Sequence, residues 1–433
     1  MAETIYALSS GNVPSGLAVV RLSGPGAFKI AEKIAGPLPD PRLVKRVNLA
    51  DPENGDLIDR GLIIIFAAPA SFTGEDVVEF HCHGSRPVLT RLFEALDHFD
   101  TCRMAEAGEF SRRAFENGKL DLTEIEGLSD LIAAETESQR QLALRQSGGD
   151  LRELYDGWRQ QLIRCRALIE AELDFADEDD VPGSVSDQVW ASVAKLAGEI
   201  EQHLDDDRRG EIVRDGYRVV LSGPPNAGKS SLLNALAQRD VAIVTPIAGT
   251  TRDVIDVNLD LEGIKVTLTD TAGLRESDDL VEQEGVRRAT KAIDQADLVL
   301  WLEVPGEPGS SEPPENAVRV WTKADIKKSD DVRDSLTIST VREDGLKELV
   351  EFLKKRAAEE ARLDENPVIS RQRHRTALQL CLSCLADADK ADLSIELRSE
   401  NLRQASDALG KLTGRVDVED LLDVIFSEFC IGK

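Results

Sequence analysis

Eight residues constrain this chain more than any other stretch: Gly223-Pro-Pro-Asn-Ala-Gly-Lys229-Ser230. They fit G-x-x-x-x-G-K-[ST]. An apolar run at 218–221 that reads as a buried strand precedes them, and a helical pattern at Lys229–Ala237 follows, which is the context this pattern requires. Glycine lets the backbone curl until its N–H groups converge on phosphate oxygens. The helix N-terminus adds partial positive charge at the same point. Lys229 is then placed to reach the β- and γ-phosphates, and Ser230 to bind Mg²⁺. A Gly-rich turn into a helix is the bland alternative, and the elements that follow in order argue against it.

Strands are expected at 218–221, 265–269, 298–302, 318–321 and 337–339, with helices at 229–237, 282–294 and 345–356. Such alternation predicts a mostly parallel sheet with helices on both faces. Asp270-Thr-Ala-Gly273 ends the second strand, where Asp270 can hold Mg²⁺ through water and the Gly273 N–H can meet a γ-phosphate. Thr251, in Gly249-Thr-Thr-Arg-Asp253, can supply a second hydroxyl to Mg²⁺. A phosphate loop, then Thr, then Asp-x-x-Gly resembles the small GTPases of translation and RNA maturation. Their base-reading motif is Asn-Lys-x-Asp, and Thr322-Lys323-Ala-Asp325 stands in its place. Asp325 would accept from the guanine ring N–H and amino group, which adenine does not offer. Thr322 is shorter than Asn and lacks an amide N–H, which predicts weaker nucleotide binding. Ser339-Thr340 stands where those GTPases have Ser-Ala, and its N–H groups can meet the guanine oxygen.

Where Ras-like proteins carry a water-orienting Gln after Asp-x-x-Gly, this chain has Leu274. Glu282 is the polar candidate to orient water; an acid favoured by a helix N-terminus is the alternative. Transition-state charge could be met by Arg252 or Arg275, or by a monovalent cation held by Asn226 and carbonyls around 245–250.

The chain has 433 residues, 41% of them hydrophobic, enough for two to four packed domains. No stretch approaches the roughly 18 apolar residues of a spanning helix. Residues 1–10 carry Glu3 and no basic residue, so they read as neither secretory signal nor transit peptide. Six cysteines in so long a chain are not a disulfide framework, and a reduced, cytoplasmic setting without a membrane anchor is expected. A net charge of -28 repels nucleic acid on average, so an RNA partner must meet local basic patches or a second protein. The acidic runs at 177–180 and 205–207 read as solvated loops or helix ends.

Residues 1–118 mix short apolar runs with Gly and Pro. Strands are expected at 19–22, 62–66 and 77–80, and a helix at 87–98, which makes an α+β domain. From 120 to 175 apolar residues recur at helical spacing, and Gly148-Gly149 divides the run. Helix is expected again over 185–204 and from about 371 to 429. The expected architecture is therefore multidomain: an α+β domain (1–118), a helical part (119–215), an α/β domain of P-loop GTPase type (216–356) and a second helical part (357–433). The two helical parts are each thin alone, so the α/β domain is read as inserted into one helical domain.

Further motifs extend the likeness along the whole chain. They are Val20-Arg-Leu-Ser-Gly24, Ser71-Phe-Thr-Gly-Glu-Asp-Val-Val-Glu-Phe-His81, Ala107-Gly-Glu-Phe-Ser111, Asn117-Gly-Lys-Leu-Asp-Leu122, Ile247-Ala-Gly-Thr-Thr-Arg-Asp253 and the terminal Phe429-Cys-Ile-Gly-Lys433. With the phosphate loop they resemble the tRNA modification GTPase family MnmE, also called TrmE. The resemblance implies an N-terminal domain that binds a tetrahydrofolate derivative (5,10-methylene- or 5-formyl-tetrahydrofolate) and dimerises. It implies potassium-stimulated GTP hydrolysis, with Asn226, Thr245, Ile247 and Thr250 around K⁺, Ser230 and Thr251 on Mg²⁺, and Glu282 orienting water. Nucleotide contacts would also come from Ala227, Gly228 and Ser231. Arg21, Glu79, Lys119 and Lys433 match family positions around the folate. The family acts with the flavoprotein MnmG, as a heterotetramer, to place an aminomethyl-type group on C5 of the wobble uridine (U34) of tRNA. Asn12-Val-Pro-Ser-Gly16 departs from the family's Arg-Gly-Gly-rich loop.

Cys430 is a nucleophile candidate or a packed Cys. Cys381-Leu-Ser-Cys384 has metal-like spacing but sits in an expected helix with no second pair. His81 and His83 share one strand face, with Cys82 on the other. Arg371, Arg373, His374 and Arg375 form a basic cluster that could touch tRNA or a partner, or be a solvated helix start. The competing function is an RNA-binding regulatory GTPase, of ribosome-assembly type, without carbon-transfer chemistry.

Overall fold

The computed structural model describes residues 3–174, 185–239, 241–243, 256–270, 287, 290–306, 312–315, 317–326, 336–342, 344–362, 366–390 and 392–416, with 422, 425, 426 and 432. The chain divides into two compact units, residues 1–129 with 410–433, and residues 130–409.

The first unit is built on a six-stranded sheet. Its strands are β1 (Thr4–Leu8), β2 (Ser15–Ser23), β3 (Lys45–Ala50), β4 (Leu57–Phe66), β5 (Val77–Gly84) and β6 (Cys102–Met104), in the order β3-β4-β5-β2-β1-β6. All neighbours are antiparallel except β1 and β6. Alternation sorts the side chains. Val20, Leu22, Val78 and Phe80 point to a core shared with Ile30, Ile34, Leu92 and Leu96 of the helices Ala27–Ala35 and Arg86–Asp97. The opposite face carries Arg21 across from Glu79, and a second, smaller cluster of Ile5, Ala7, Ala105 and Phe110. Strand β1 is thus buried on both faces. The strands expected at 19–22, 62–66 and 77–80 lie within β2, β4 and β5. The sequence reading passed over β1, β3 and β6, which are short or carry charge.

The second unit joins helices to a sheet of β7 (Tyr217–Ser222), β8 (Asp256–Leu261), β9 (Ile264–Asp270), β10 (Leu298–Glu303), β11 (Val318–Trp321) and β12 (Leu336–Thr337). The order is β12-β11-β10-β7-β9-β8, parallel throughout except the β8–β9 hairpin. The central strands β7 and β10 are nearly continuous apolar runs because helices cover both faces. Leu232, Leu233 and Leu236 of the helix Lys229–Ala237 and Leu346, Leu349 and Leu353 of the helix Leu346–Glu360 pack on them. Val257, Leu259 and Leu261 of β8 face inward in alternation, a signal that the sequence reading left unused. Of the helix expected over 282–294, residues 287 and 290–294 are helical and the others lie outside the described residues.

Helices Glu137–Ser147, Asp150–Asp174, Val185–Leu204, Arg209–Asp215 and Gln372–Ala388 supply the helical part, with Gly148 capping the first as expected from the double glycine. Leu142 of the helix Glu137–Ser147 enters the core of the parallel sheet. The Ser138 N–H donates to the Gly263 carbonyl at 3.0 Å, and Lys265 pairs with Glu135 at 2.7 Å. Chain leaving and chain returning run close together: a Cβ at Gly210 would come 2.3 Å from the Ile369 oxygen. Asp130 accepts from Arg214 on the outgoing segment at 3.1 Å and from Arg371 on the returning one at 2.8 Å.

Three of the four residues of the basic cluster turn inward, which departs from both expectations for them, a surface for tRNA or a partner and a solvated helix start. Arg371 is held by Asp130, Arg375 by Asp206 and Glu211 at 2.7 and 3.0 Å, and His374 is buried. The 205–207 run lies just past a helix end with Asp205 and Asp207 exposed, as expected, and only the Asp206 side chain turns inside to Arg375. Folding draws these opposite charges together within one helical core.

Candidate functional site

The phosphate loop follows β7. Gly223 has φ +134, and a Cβ there would come 2.2 Å from the Leu302 oxygen, so the loop lies against the end of β10 where only glycine fits. Asn226 and Gly228 also take positive φ, 62 and 94, and Gly228 is the N-cap of the helix Lys229–Ala237. These alternations turn successive N–H groups toward one concavity at the positive end of a helix. Lys229 is buried and donates from Nζ to the carbonyls of Gly223 and Pro224, both at 3.0 Å.

Ser230 Oγ donates to Asp270 Oδ2 at 2.6 Å. One oxygen opens the helix and the other ends β9, which neighbours β7 in parallel. Both are hard oxygen donors, and Asp270 is buried, so the pair fits a Mg²⁺ ion.

At the base end, Asp325 Oδ1 accepts from Ser339 Oγ at 2.7 Å, which holds its carboxyl below the usual range. Asp325 is therefore an anion, suited to two donors on one edge of a base. The Ala324 N–H donates to the Ile338 carbonyl at 3.1 Å, which ties this loop to Ser339 and Thr340. Lys323 takes φ 55. Thr322, only 4% exposed, donates from Oγ1 to the Ala227 carbonyl at 2.7 Å and lies 3.1 Å from the Glu303 carbonyl. The hydroxyl thus faces the phosphate loop and links it to the base-reading segment. The sequence alone shows Thr322 only as a lost base contact, because Ala227 is distant along the chain.

Asn226, Ala227, Gly228, Lys229, Ser230, Ser231 and Asp270 are brought to one end of the sheet, with Lys323, Asp325, Ser339 and Thr340 on neighbouring loops of that end. Thr245, Ile247, Thr250, Thr251, Arg252, Gly273, Arg275 and Glu282 lie outside the described residues, as do Cys430 and Lys433.

In the first unit, Arg21 donates from Nε and Nη2 to Glu79 Oε1 at 3.1 and 2.9 Å. The pair is half-buried. The Arg21 guanidinium lies 5.5 and 5.8 Å from the ring centres of Phe72 and Phe110. Glu79 Oε2 has a longer 3.4 Å contact to His81, which leaves it acceptor capacity. A cation, an anion and the partly exposed ring of Phe72, with Phe110 fully buried beside it, suit a flat heteroaromatic ring with N–H donors and an anionic tail, so these residues fit a folate. Lys119 donates from Nζ to the Pro69 carbonyl at 3.0 Å. Phe72 and Phe110 went unread, although both lie inside the quoted motifs.

Among the described residues no cluster of three metal-ligating side chains occurs, and no helix is long and apolar enough to cross a membrane. Cys381 and Cys384 are buried within one helix, and burial pushes the Cys381 thiol up to about 12, so they pack rather than ligate. His83 pairs with Asp59 at 2.9 Å.

Two family models match: the N-terminal domain of the GTP-binding protein TrmE over residues 4–119, and the MnmE helical domain over residues 122–430. Curated relatives described as tRNA modification GTPase MnmE align over their whole length. That of Rhizobium johnstonii is 55% identical, covering 100% of this chain and 99% of its own. Those of Brucella anthropi and Agrobacterium fabrum are each 53% identical with the same coverage. Among solved structures, Era of Aquifex aeolicus aligns with 39% of this chain and 66% of its own, at 22% identity and a TM-score of 0.26.

Proposed function

The chain belongs to the MnmE (TrmE) family of tRNA modification GTPases, and from that premise we propose that its GTP hydrolysis depends on potassium and serves C5 modification of the wobble uridine (U34) together with the flavoprotein MnmG. It is an enzyme that binds and hydrolyses GTP in tRNA modification. The observation that carries the catalytic reading is the meeting of Ser230 and Asp270 at the N-terminus of the phosphate-loop helix.

Lys229 and the loop N–H groups bind and orient the β- and γ-phosphates, and Ser230 with Thr251 would hold Mg²⁺, which would supply positive charge to the phosphates. Asp325, Lys323, Ser339 and Thr340 select guanine. Asn226, Thr245, Ile247 and Thr250 hold K⁺, Gly273 meets the γ-phosphate, and Glu282 orients the attacking water. Residues 216–356 form this nucleotide domain, inserted between the helical parts 119–215 and 357–433. Residues 1–118 bind the tetrahydrofolate through Arg21, Glu79 and Lys119, joined by Lys433, and mediate a homodimer. The folate supplies the one-carbon unit. The setting is cytoplasmic.

The decisive assay measures GTP turnover in KCl and in NaCl for the wild type and Glu282→Ala. The expected result is strong stimulation by potassium, and near-complete loss of turnover in Glu282→Ala with nucleotide binding retained. Equal turnover in both salts would overturn the potassium reading. Full turnover by Glu282→Ala would remove that residue from its role.

A further inference from the structure

Arg21 and Lys119 are not held in place by their own strand or turn alone. Both lean on the loop 69–76. Phe72 of that loop stacks under the Arg21 guanidinium, and the loop's Pro69 carbonyl accepts from Lys119. Gly74 has φ +79, and a Cβ there would come 3.0 Å from Asn117 Cβ and 3.3 Å from Lys119 Cγ. The loop backbone therefore lies directly along the Lys119 stem, with no room for a side chain between them.

The ends of the loop are tied by the Ala70 carbonyl, which accepts from Arg42 at 2.6 Å, and the Asp76 carbonyl, which accepts from the Gly24 N–H at 3.0 Å; its middle is pinned at Thr73 and Glu75. Thr73 receives Asn117 Nδ2 at its carbonyl, at 2.8 Å, and its hydroxyl meets the buried Ser23 Oγ at 2.7 Å. Glu75 accepts from Ser23 Oγ at 2.7 Å and from Arg113 Nη1 at 3.1 and 3.3 Å. Arg113 also donates to Glu109 at 2.9 Å and to the Glu3 carbonyl at 2.9 Å. Its side chain is 12% exposed, and that of Glu109 11%. One planar guanidinium therefore serves two half-sequestered carboxylates and a carbonyl at once. An ammonium, as a point donor, does not span that set. Removing a partner would leave carboxylates poorly solvated, so the loop would shift to rewet them.

We propose that Arg113 and Glu75 are the positioning pair of the folate site: they fix the loop 69–76, and through it place Arg21 and Lys119 for the ligand. This rests on reading Arg21, Glu79 and Lys119 as folate-binding. Neither Arg113 nor Glu75 is assigned a contact with the ligand itself.

The test uses the full chain titrated with 5-formyltetrahydrofolate by calorimetry, with thermal unfolding and GTP turnover measured in parallel. Arg113→Lys and Glu75→Gln are compared with Arg103→Lys. Arg103 shares the network through Glu109 and Glu3, at 2.7 Å each, rather than through Glu75. Arg113→Lys and Glu75→Gln should each weaken folate binding roughly tenfold or more, by analogy with lost outer partners of a ligand site. Arg103→Lys should stay within about twofold of wild type while lowering the unfolding midpoint comparably. GTP turnover should be unchanged in all three. Unchanged folate affinity in Arg113→Lys and Glu75→Gln would overturn the proposal. So would an equal loss in Arg103→Lys, which would mean general destabilisation. If the wild type itself does not bind the probe, the folate reading fails first and the positioning role falls with it. Should Arg113→Lys not fold, Glu75→Gln alone decides.

Discussion

On the proposed function, the phosphate loop and the Arg21–Glu79 face would solve the same problem, holding an anionic ligand, with different materials. At the phosphate loop the geometry is in the backbone: Gly223 against β10, Asn226 and Gly228 at positive φ, and a helix N-terminus behind them. At Arg21 the strands are ordinary and the geometry lies in side chains, each oriented by the next: Glu79 by Arg21, Arg21 by Phe72 and Phe110. A backbone device tolerates few residues at fixed spacing. A side-chain device allows many pairings and leaves a fainter trace.

Three substitutions would sharpen or break that contrast. The largest effect is expected from Lys229→Ala. Losing a preorganised cation at the phosphates should cut GTP turnover by about a hundredfold or more, with folate binding unmoved. Arg21→Ala should come next, weakening 5-formyltetrahydrofolate binding by about 2 kcal/mol or more, roughly thirtyfold, with GTP turnover intact. Calorimetry on one preparation with both ligands reads each against the other, and a loss that crosses from one site to the other would dissolve the distinction. Thr322→Val should be smallest. It strips a hydrogen bond from the Ala227 carbonyl and should weaken GDP binding by about 1–2 kcal/mol, roughly five- to thirtyfold. An unchanged dissociation constant would mean that the loop needs no tie to the base-reading segment.

The same contrast explains what could be read from the chain. Gly223 to Ser230, Asp270 and Asp325 were legible because each lies at the end of an apolar strand whose pattern places it. The parallel sheet was legible for the same reason, through β7, β9, β10 and β11. Thr322 was legible as a departure but not as a tie, because its partner, Ala227, is distant in sequence. Arg375 read as surface because Asp206 and Glu211 join it only after the helices pack. Strands β1, β3 and β6 escaped because their apolar runs are short and their burial comes from neighbours far along the chain.

Asp130 carries a last consequence. A single carboxylate clasps one arginine before the nucleotide domain begins and another after it ends, and Gly210 and Ile369 touch beside it. The stretch between them leaves and returns at one place, and the helix Glu137–Ser147 holds it again through Leu142 and the Ser138–Gly263 hydrogen bond. Asp130→Asn would therefore loosen the outgoing and the returning segment at once.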